Sequence, residues 1–205
     1  MSRLPTATPP YRFAVGPLAT NGYREVVSRP LYTPHECHRL VSMMTDDGWT
    51  AAGITGNEGS GSRTDAKVRS ASTQNLPPAA GWAVERLVRA ITAINEEIFR
   101  FRLWGIPSTD VPSIVRYLAD EGGHFSPHID AGSGMSTRKV TYVVQLSDPG
   151  DYAGGDLVVQ EGGKAAPKEQ GMLTLFPAML THVVAPVLRS KRYALIGWVH
   201  GPTLA

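Results

Sequence analysis

Three side chains in the second half of the chain have the types and the spacing of metal ligands. One residue separates His128 from Asp130, and His182 follows a short apolar run that ends at Phe176-Pro177. Two histidines and one carboxylate can occupy one face of a six-coordinate ion and leave the opposite positions open. Fe(II) is often held in this way, and Zn²⁺ accepts the same donor atoms. The three residues therefore predict a metal site, but they do not by themselves define a reaction.

The spacing of His128 and Asp130 is compatible with a strand. Side chains two residues apart in a strand point to the same face, so both groups would project together from an extended segment. Pro127 has no N–H and suits the start or the edge of such a strand. The alanine, glycines and serine of residues 131–134 then favour a reversal of the chain.

Arg192 makes the prediction more specific. It lies ten residues after His182 and opens an alternating segment, residues 192–200, that we interpret as a strand. Two antiparallel strands joined by a turn would place His182 and Arg192 side by side at the mouth of a barrel. A guanidinium there could hold a carboxylate through two parallel hydrogen bonds.

Around these residues the sequence resembles a known family, the 2-oxoglutarate- and Fe(II)-dependent dioxygenases, and in particular their prolyl-4-hydroxylase-like branch. The strong motifs cover residues 111–201, and looser similarity extends to residues 31–40 and 93–101. The motifs are Tyr117…His128-x-Asp130, residues 138–147, Tyr152-x-Gly-Gly-Asp156, Phe176-Pro…His182-x-Val-x-Pro and Arg192-Tyr…Trp198. Each motif alone is weak, and their joint occurrence is what makes the resemblance specific.

The resemblance implies a role for each of the four residues. His128, Asp130 and His182 would ligate iron, and Arg192 would pair with the C5 carboxylate of 2-oxoglutarate. Asp130 also favours hydroxylation, because relatives that halogenate have a small residue at this position.

The resemblance extends to three further residues of the co-substrate pocket. Tyr117 would line the pocket and hydrogen-bond 2-oxoglutarate, and Trp198 would pack close to the site. Many relatives have a tyrosine where this chain has Gln145. An amide at that position could still donate a hydrogen bond to the co-substrate.

The cofactors implied are Fe(II), 2-oxoglutarate as co-substrate, and O2, with ascorbate as a candidate stimulant. The expected reaction hydroxylates an unactivated C–H of an amino-acid-like small molecule or of a peptidyl proline-type residue, with release of succinate and CO2. Two alternatives stay open. One is another oxidation at the same site, such as demethylation, desaturation or epoxidation. The other is a non-enzymatic jelly-roll binding module with a structural metal.

Three residues are candidate contacts to the substrate, two of them in or near a long segment that precedes the motifs. Residues 53–65 are rich in Gly, Ser and Thr without an apolar period, which predicts a long loop that closes over the site, although a solvated surface insertion is equally compatible. Arg63 and Arg69 are candidate contacts to a substrate carboxylate or backbone. His124 lies four residues before His128 and is a third candidate, with a solvated loop position as the alternative.

The remaining pattern predicts the elements that must position these residues. Thr33-Pro-His-Glu36 is a capping box that opens a helix to about Asp46, and Pro77-Pro78 opens a longer helix with an apolar stripe. Short strand patterns are residues 23–28, 66–70, 113–117, 140–146, 156–160, 172–176 and 193–199. The predicted class is α+β and mainly β, a double-stranded β-helix (jelly-roll) barrel with flanking N-terminal helices.

Length and composition limit the alternatives. The 205 residues suit a single domain over residues 1–205, with residues 1–22 partly loose. A net charge of +2 with scattered Lys and Arg argues against a nucleic-acid partner, and no apolar stretch approaches a membrane span. The single cysteine, Cys37, cannot form an internal disulfide, and the amino end lacks a signal-peptide pattern, so we expect a cytoplasmic protein. The oligomeric state cannot be deduced from these patterns.

Overall fold

The computed structural model describes residues 23–55, 62–132, 135–160 and 162–203, in which the chain is mainly β with two helices. Helix α1 spans Pro34–Ser42 and α2 spans Gly81–Ile94, flanked by a 3-10 turn (Pro78–Ala80) and a π-helical turn (Asn95–Phe99). The strands are β1 Val27–Pro30, β2 Thr50–Ala51, β3 Ile54–Thr55, β4 Ser62–Arg63, β5 Arg69–Ser70, β6 Ser72–Asn75, β7 Ser113–Leu118, β8 His124–His128, β9 Arg138–Gln145, β10 Ala153–Gly154, β11 Leu157–Val159, β12 Met172–Pro177, β13 His182–Val184, β14 Val187–Arg189 and β15 Lys191–His200. No helix in the described ranges has the length and apolar character to cross a membrane.

Helix α1 begins with the predicted capping box. The Thr33 hydroxyl accepts the Glu36 N–H at 3.3 Å, and the Glu36 carboxylate accepts the Thr33 N–H at 2.9 Å. The helix ends at Ser42 rather than near Asp46, because the Thr45 N–H donates to the Gln74 side chain at 3.1 Å instead of to a helix carbonyl. The start of α1 was thus visible in local sequence, whereas its end depends on a distant residue.

Two antiparallel sheets carry the site residues. The larger sheet has seven strands and the smaller has four, and each pairing within them is antiparallel. The strand orders are β1-β12-β9-β15-β7-β6-β2 and β11-β13-β8-β5. Two further pairs, β3 with β4 and β10 with β14, form separate short ribbons.

The central strands β12, β9 and β15 of the larger sheet are buried on both faces, which explains why they read as nearly continuous apolar runs. One face packs against α1 and α2 through side chains such as Leu40, Leu87 and Leu195. Its other face packs against the smaller sheet, where Ala194 meets Leu157 and their neighbours in a second cluster. Alternate residues of β15 therefore enter different cores, and the functional side chains point into the space between the sheets.

The predicted strands are correct in most cases, with shifts at their ends. The first strand begins at Val27 rather than Tyr23, and only Arg69–Ser70 of the segment 66–70 is paired. The segment 53–65 contains the short β3–β4 ribbon, and its centre, residues 56–61, lies outside the described residues, as do residues 1–22. The prediction of a loop is therefore wrong where the segment pairs as β3 and β4.

Helix α2 allows a paired test of the core. Leu87 is fully buried, whereas the adjacent Val88, which is also apolar, is 43% exposed. Leu87→Ala is expected to lower the free energy of unfolding by about 2–5 kcal/mol, because it removes buried methyl groups and leaves a cavity. Val88→Ala should cost much less. Urea unfolding followed by circular dichroism measures both, and equal losses would contradict this assignment of the buried face.

Candidate active site

Strand pairing in the smaller sheet brings the three predicted ligands together. His128, the last residue of β8, is opposite His182, the first residue of β13. The His128 Nε2 lies 3.6 Å from one Asp130 oxygen, and the His182 Nε2 lies 3.3 Å from the other. One donor atom from each residue falls within a 4.8 Å cluster. This is the compact arrangement that one metal ion requires.

Backbone carbonyls fix the orientation of both imidazoles. The Nδ1 of His128 lies 2.8 Å from the Ser126 carbonyl oxygen, and the Nδ1 of His182 lies 3.0 Å from that of Leu180. Because a carbonyl can only accept a hydrogen bond, each Nδ1 must carry the proton. Each Nε2 can then present a lone pair to a metal ion, as ligating histidines do.

Asp130 is held by contacts from outside β8. Its backbone N–H donates to the Ala178 carbonyl at 2.9 Å, and the Thr141 hydroxyl donates to its carboxylate at 2.7 Å. The extended segment that the sequence indicated therefore ends before Asp130, and Pro127 is not at the start of its strand. Pro127 is the penultimate residue of β8, at a register shift opposite β13, and Asp130 follows the end of the strand.

The ionisation of the three residues suits metal binding. Burial, reinforced by the neighbouring His182, lowers the pKa of His128 to about 4, so this imidazole is neutral at pH 7. Burial alone would raise the pKa of Asp130, but His182, His128 and Trp198 hold it well below its usual range. Burial opposes charge on His182 as well, yet Asp130 raises its pKa. In the metal-free site a proton can thus lie between His182 and Asp130, and metal binding would displace it.

A cavity of about 460 Å³ opens between the two sheets beside these residues. Tyr117, Trp198 and Arg192 line it together with the three candidate ligands. Arg192 does not reach it through a hairpin with the strand of His182, as the sequence had suggested. It lies on β15 opposite Tyr117 of β7, whereas His182 lies on the smaller sheet and β14 separates the two along the chain. Arg192 and His182 therefore line one cavity from opposite sheets.

Arg192 is buried, with 3% of its surface exposed, and forms no ion pair with a carboxylate in the described parts of the chain. Its Nε donates to the Gln145 side-chain oxygen at 3.0 Å. The Gln145 amide nitrogen donates in turn to the Tyr152 hydroxyl at 3.0 Å and to the Ser147 carbonyl at 3.1 Å. Gln145 therefore orients Arg192, and its amide is already engaged rather than free for a co-substrate.

The three candidate substrate contacts have different surroundings. Arg69 lines the cavity, with its guanidinium 4.5 Å from the Phe125 ring centroid. Arg63 is 65% exposed and lies 3.5 Å from the Asp65 carboxylate, away from the cavity lining. His124 also lies outside the lining, and both of its ring nitrogens contact backbone carbonyls. Only Arg69 is thus brought to the cavity.

Several residues of the site were missed by sequence reasoning. Phe125 stacks on the His128 ring with centroids 3.4 Å apart. The Arg138 guanidinium lies 3.4 Å from the Trp198 ring centroid and pairs with Asp110. Thr141 carried one usable signal, since it is a polar residue inside an apolar run that proves to be buried.

Thr141 provides a prediction about metal affinity. Thr141→Val keeps the shape of the side chain but removes the donor that orients Asp130. Loss of such an outer partner is expected to weaken metal binding by about 10- to 100-fold. Competition titration of Mn²⁺ against a fluorescent chelator measures the effect, with Thr141→Ser as the control that retains the hydroxyl. Unchanged affinity in the valine variant would mean that this hydrogen bond does not orient Asp130.

The known proteins that this chain resembles in sequence and in fold are named as oxygenases or hydroxylases. A family model described as 2OG-Fe(II) oxygenase superfamily matches residues 112–200. A PKHD-type hydroxylase of Pseudomonas putida (strain W619) is 35% identical over 108 residues, 48% of this chain and 47% of the relative. Another, from Synechococcus sp. (strain JA-2-3B'a(2-13)), is 30% identical over 121 residues, 56% of this chain and 54% of the relative. The chain thus spans about half the length of the curated relatives that it matches.

Solved structures share the fold over most of the chain. A Pseudomonas putida prolyl-4-hydroxylase superposes with a TM-score of 0.61 at 19% identity, covering 87% of this chain and 94% of the other. A Trichoplax adhaerens prolyl hydroxylase, in complex with a hypoxia inducible factor oxygen degradation domain peptide fragment, has a TM-score of 0.68 at 16% identity, covering 88% and 84%. Residues 112–200 therefore resemble the 2OG-Fe(II) oxygenase superfamily, and the fold of the chain is similar to that of solved prolyl hydroxylases.

Proposed function

We propose that this protein is a 2-oxoglutarate- and Fe(II)-dependent dioxygenase that hydroxylates an unactivated C–H and releases succinate and CO2. One observation carries the proposal. A two-histidine, one-carboxylate cluster lines the same cavity as Arg192, a buried arginine that has no acidic partner among the described residues. A binding module with a structural metal has no need of such an arginine, because an uncompensated buried charge is costly. The buried arginine therefore disfavours the non-enzymatic alternative.

His128, Asp130 and His182 would hold the metal. Their donor set suits a ferrous ion with open positions, and the Nδ1 contacts and the Thr141 hydroxyl hold the donor atoms ready. When bound, iron together with 2-oxoglutarate and O2 would supply the oxidising power for C–H hydroxylation, since O2 is the oxidant and 2-oxoglutarate provides two electrons as it is converted to succinate and CO2. The protein contributes orientation and a cavity from which water can be excluded.

Arg192 and Tyr117 would bind the co-substrate. Arg192 can offer its two terminal nitrogens to the distal carboxylate of 2-oxoglutarate, because among the described residues its one hydrogen bond is from Nε to Gln145. Tyr117 lies opposite Arg192 on β7 and lines the same cavity. Trp198 forms part of the wall beside the ligands. Gln145 would act indirectly, by holding Arg192 in place.

The substrate would be an amino-acid-like small molecule or a peptidyl proline-type residue, with Arg69 as a contact. The names of the relatives and of the similar structures support hydroxylation and proline-type chemistry. Arg63 and His124 have little support as contacts, since neither lines the cavity. We also infer that the two sheets are the halves of a double-stranded β-helix and that residues 23–203 form one domain around the two cores.

The test is co-substrate turnover linked to product mass. The protein is incubated in air with Fe(II), ascorbate and 2-oxoglutarate, together with free amino acids or proline-containing peptides. Succinate release together with a substrate mass gain of one oxygen is the expected result. A mass loss of two hydrogens would indicate desaturation instead. If the metal-loaded protein neither binds 2-oxoglutarate nor consumes it, the proposed function is wrong.

A further inference from the structure

The cavity contains more positive charge than the proposed co-substrate needs. Its charged lining residues, among those described, are Arg69, Arg138, Arg192 and the ligand Asp130. Asp130 would be neutralised by the metal, and Arg192 by the distal carboxylate of 2-oxoglutarate. The two remaining arginines, Arg69 and Arg138, differ in whether a carboxylate of the described chain neutralises them.

Arg138 has its own counterion. Its Nε and Nη2 donate to the two oxygens of Asp110 at 2.8 and 2.9 Å, which is a bidentate pair. The ring of His200 also approaches Asp110 at 2.9 Å. The face of the guanidinium is covered by Trp198. Arg138 is thus fixed in charge and position as a part of the wall.

Arg69 has no such partner. Its Nη1 donates to the Gly53 carbonyl at 2.9 Å, but its Nε is buried and has no hydrogen-bond partner in the described structure. No ion pair with a carboxylate is formed either, as far as the described residues show. A partly buried cation without a counterion is unfavourable, and an anionic ligand at the guanidinium would compensate its charge.

The position of Arg69 is fixed relative to the metal ligands. Arg69 pairs with Phe125 across β5 and β8, and its guanidinium stacks on that ring. The Phe125 ring stacks in turn on His128. Arg69 and the candidate metal ligand His128 thus contact the same aromatic ring, and both line the cavity. A small substrate in this cavity could contact Arg69 and lie beside the metal.

The rest of the lining restricts what the anion is attached to. Apart from the groups already discussed and Thr141, the side chains that face the cavity are apolar. They include Ile54, Val68, Val115, Val143, Leu157 and Ile196. A cavity of this kind fits a compact aliphatic body that carries one carboxylate.

We propose that Arg69 binds the free carboxylate of the substrate, so that the enzyme acts on a free aliphatic amino-acid-like acid rather than on a residue inside a peptide. An internal peptide residue has no carboxylate and would leave Arg69 unpaired beside the metal. The proposal rests on the proposed function and specifies its substrate class. It makes Arg69 the residue that determines specificity for the acid over its neutral derivatives.

Binding of acids and of their amides tests this directly. The full chain is loaded with Mn²⁺ and 2-oxoglutarate under nitrogen, so that no turnover occurs. L-Proline, L-leucine, L-isoleucine and L-valine are each compared with the corresponding primary amide, and an acetylated, amidated proline peptide is included. Paramagnetic relaxation of the ligand protons reports both affinity and proximity to the metal. At least one acid should bind, on the order of 100-fold tighter than its amide, because a charge-assisted pair is lost.

Variants connect this preference to Arg69. Arg69→Met should reduce the acid-to-amide ratio to below about threefold, and Arg69→Lys should give an intermediate ratio because lysine lacks the planar fork. Arg63→Met is the matched control, because Arg63 is an exposed arginine of the nearby ribbon and should leave the ratio unchanged. The ratio is internal to each variant, so a general loss of stability does not imitate the effect.

The outcomes separate this inference from the proposed function. Equal binding of acid and amide to the wild type, binding of the peptide but of no acid, or a ratio that survives Arg69→Met would each overturn the role of Arg69. In those cases intact binding of Mn²⁺ and 2-oxoglutarate leaves the proposed function standing. A wild-type protein that binds neither Mn²⁺ nor 2-oxoglutarate overturns the proposed function and this inference with it.

Discussion

Asp130→Ala is expected to abolish hydroxylation and to weaken Fe(II) binding by more than about 100-fold. Loss of a residue that only hydrogen-bonds to a metal ligand lowers metal affinity by up to about 100-fold, and loss of a ligand itself should lower it further. The reason is geometric. Asp130 supplies the carboxylate that faces both imidazoles, and no other carboxylate of the described chain joins that cluster. Without it, two neutral imidazoles remain, and the net negative charge that compensates the cation is lost. Anaerobic Fe(II) titration and succinate release measure the two effects separately.

Controls for this substitution are available in the same region. Asp120→Ala removes an exposed carboxylate from the turn between β7 and β8 and should leave iron affinity and succinate release unchanged. Asp130→Glu keeps the charge on a longer side chain and should recover part of the metal binding. The fold should survive Asp130→Ala, since the residue lies outside the strands. Full activity in this variant would rule out the ligand assignment.

Local sequence was sufficient to identify the three candidate ligands but not to predict how the fold brings them together. His128 and Asp130 are close in sequence, and their spacing limits the distance between them in any conformation. The sequence could not reveal that His128 pairs with His182, because strand register depends on contacts across the whole sheet. Pro127 illustrates the difficulty. A register shift between β8 and β13 accommodates it inside a central strand, where a regular ladder would exclude proline.

The surroundings of Arg192 were predicted least well. The sequence indicated a departure at Gln145 but not its consequence, because Gln145, Tyr152 and Arg192 lie on different parts of the chain. Their hydrogen bonds form only when β9 and β15 pair and the turn after β9 folds back. The same applies to Arg69, whose partner ring and unsatisfied Nε depend on the pairing of β5 with β8.

Arg192→Ala is expected to raise the KM for 2-oxoglutarate on the order of 100-fold, because the distal carboxylate would lose its buried cationic partner. The effect should be specific to that carboxylate. The wild type should strongly prefer 2-oxoglutarate over 2-oxopentanoate, which has the same chain length without the second acid group. In Arg192→Ala the preference should largely disappear. Arg192→Lys should retain part of it, because lysine keeps the charge but cannot make two parallel hydrogen bonds.

Lys191→Ala is the matched control, since Lys191 is the exposed neighbouring cation on β15. It should leave both the KM and the preference between the two keto acids unchanged, which excludes a general effect of positive charge near the cavity. Metal affinity should change little in Arg192→Ala, because Arg192 lies on the sheet opposite the ligands. If this variant keeps a wild-type preference for 2-oxoglutarate, then another group holds the distal carboxylate. Arg69 would be the next candidate, because it is the other arginine of the described cavity lining without a carboxylate partner.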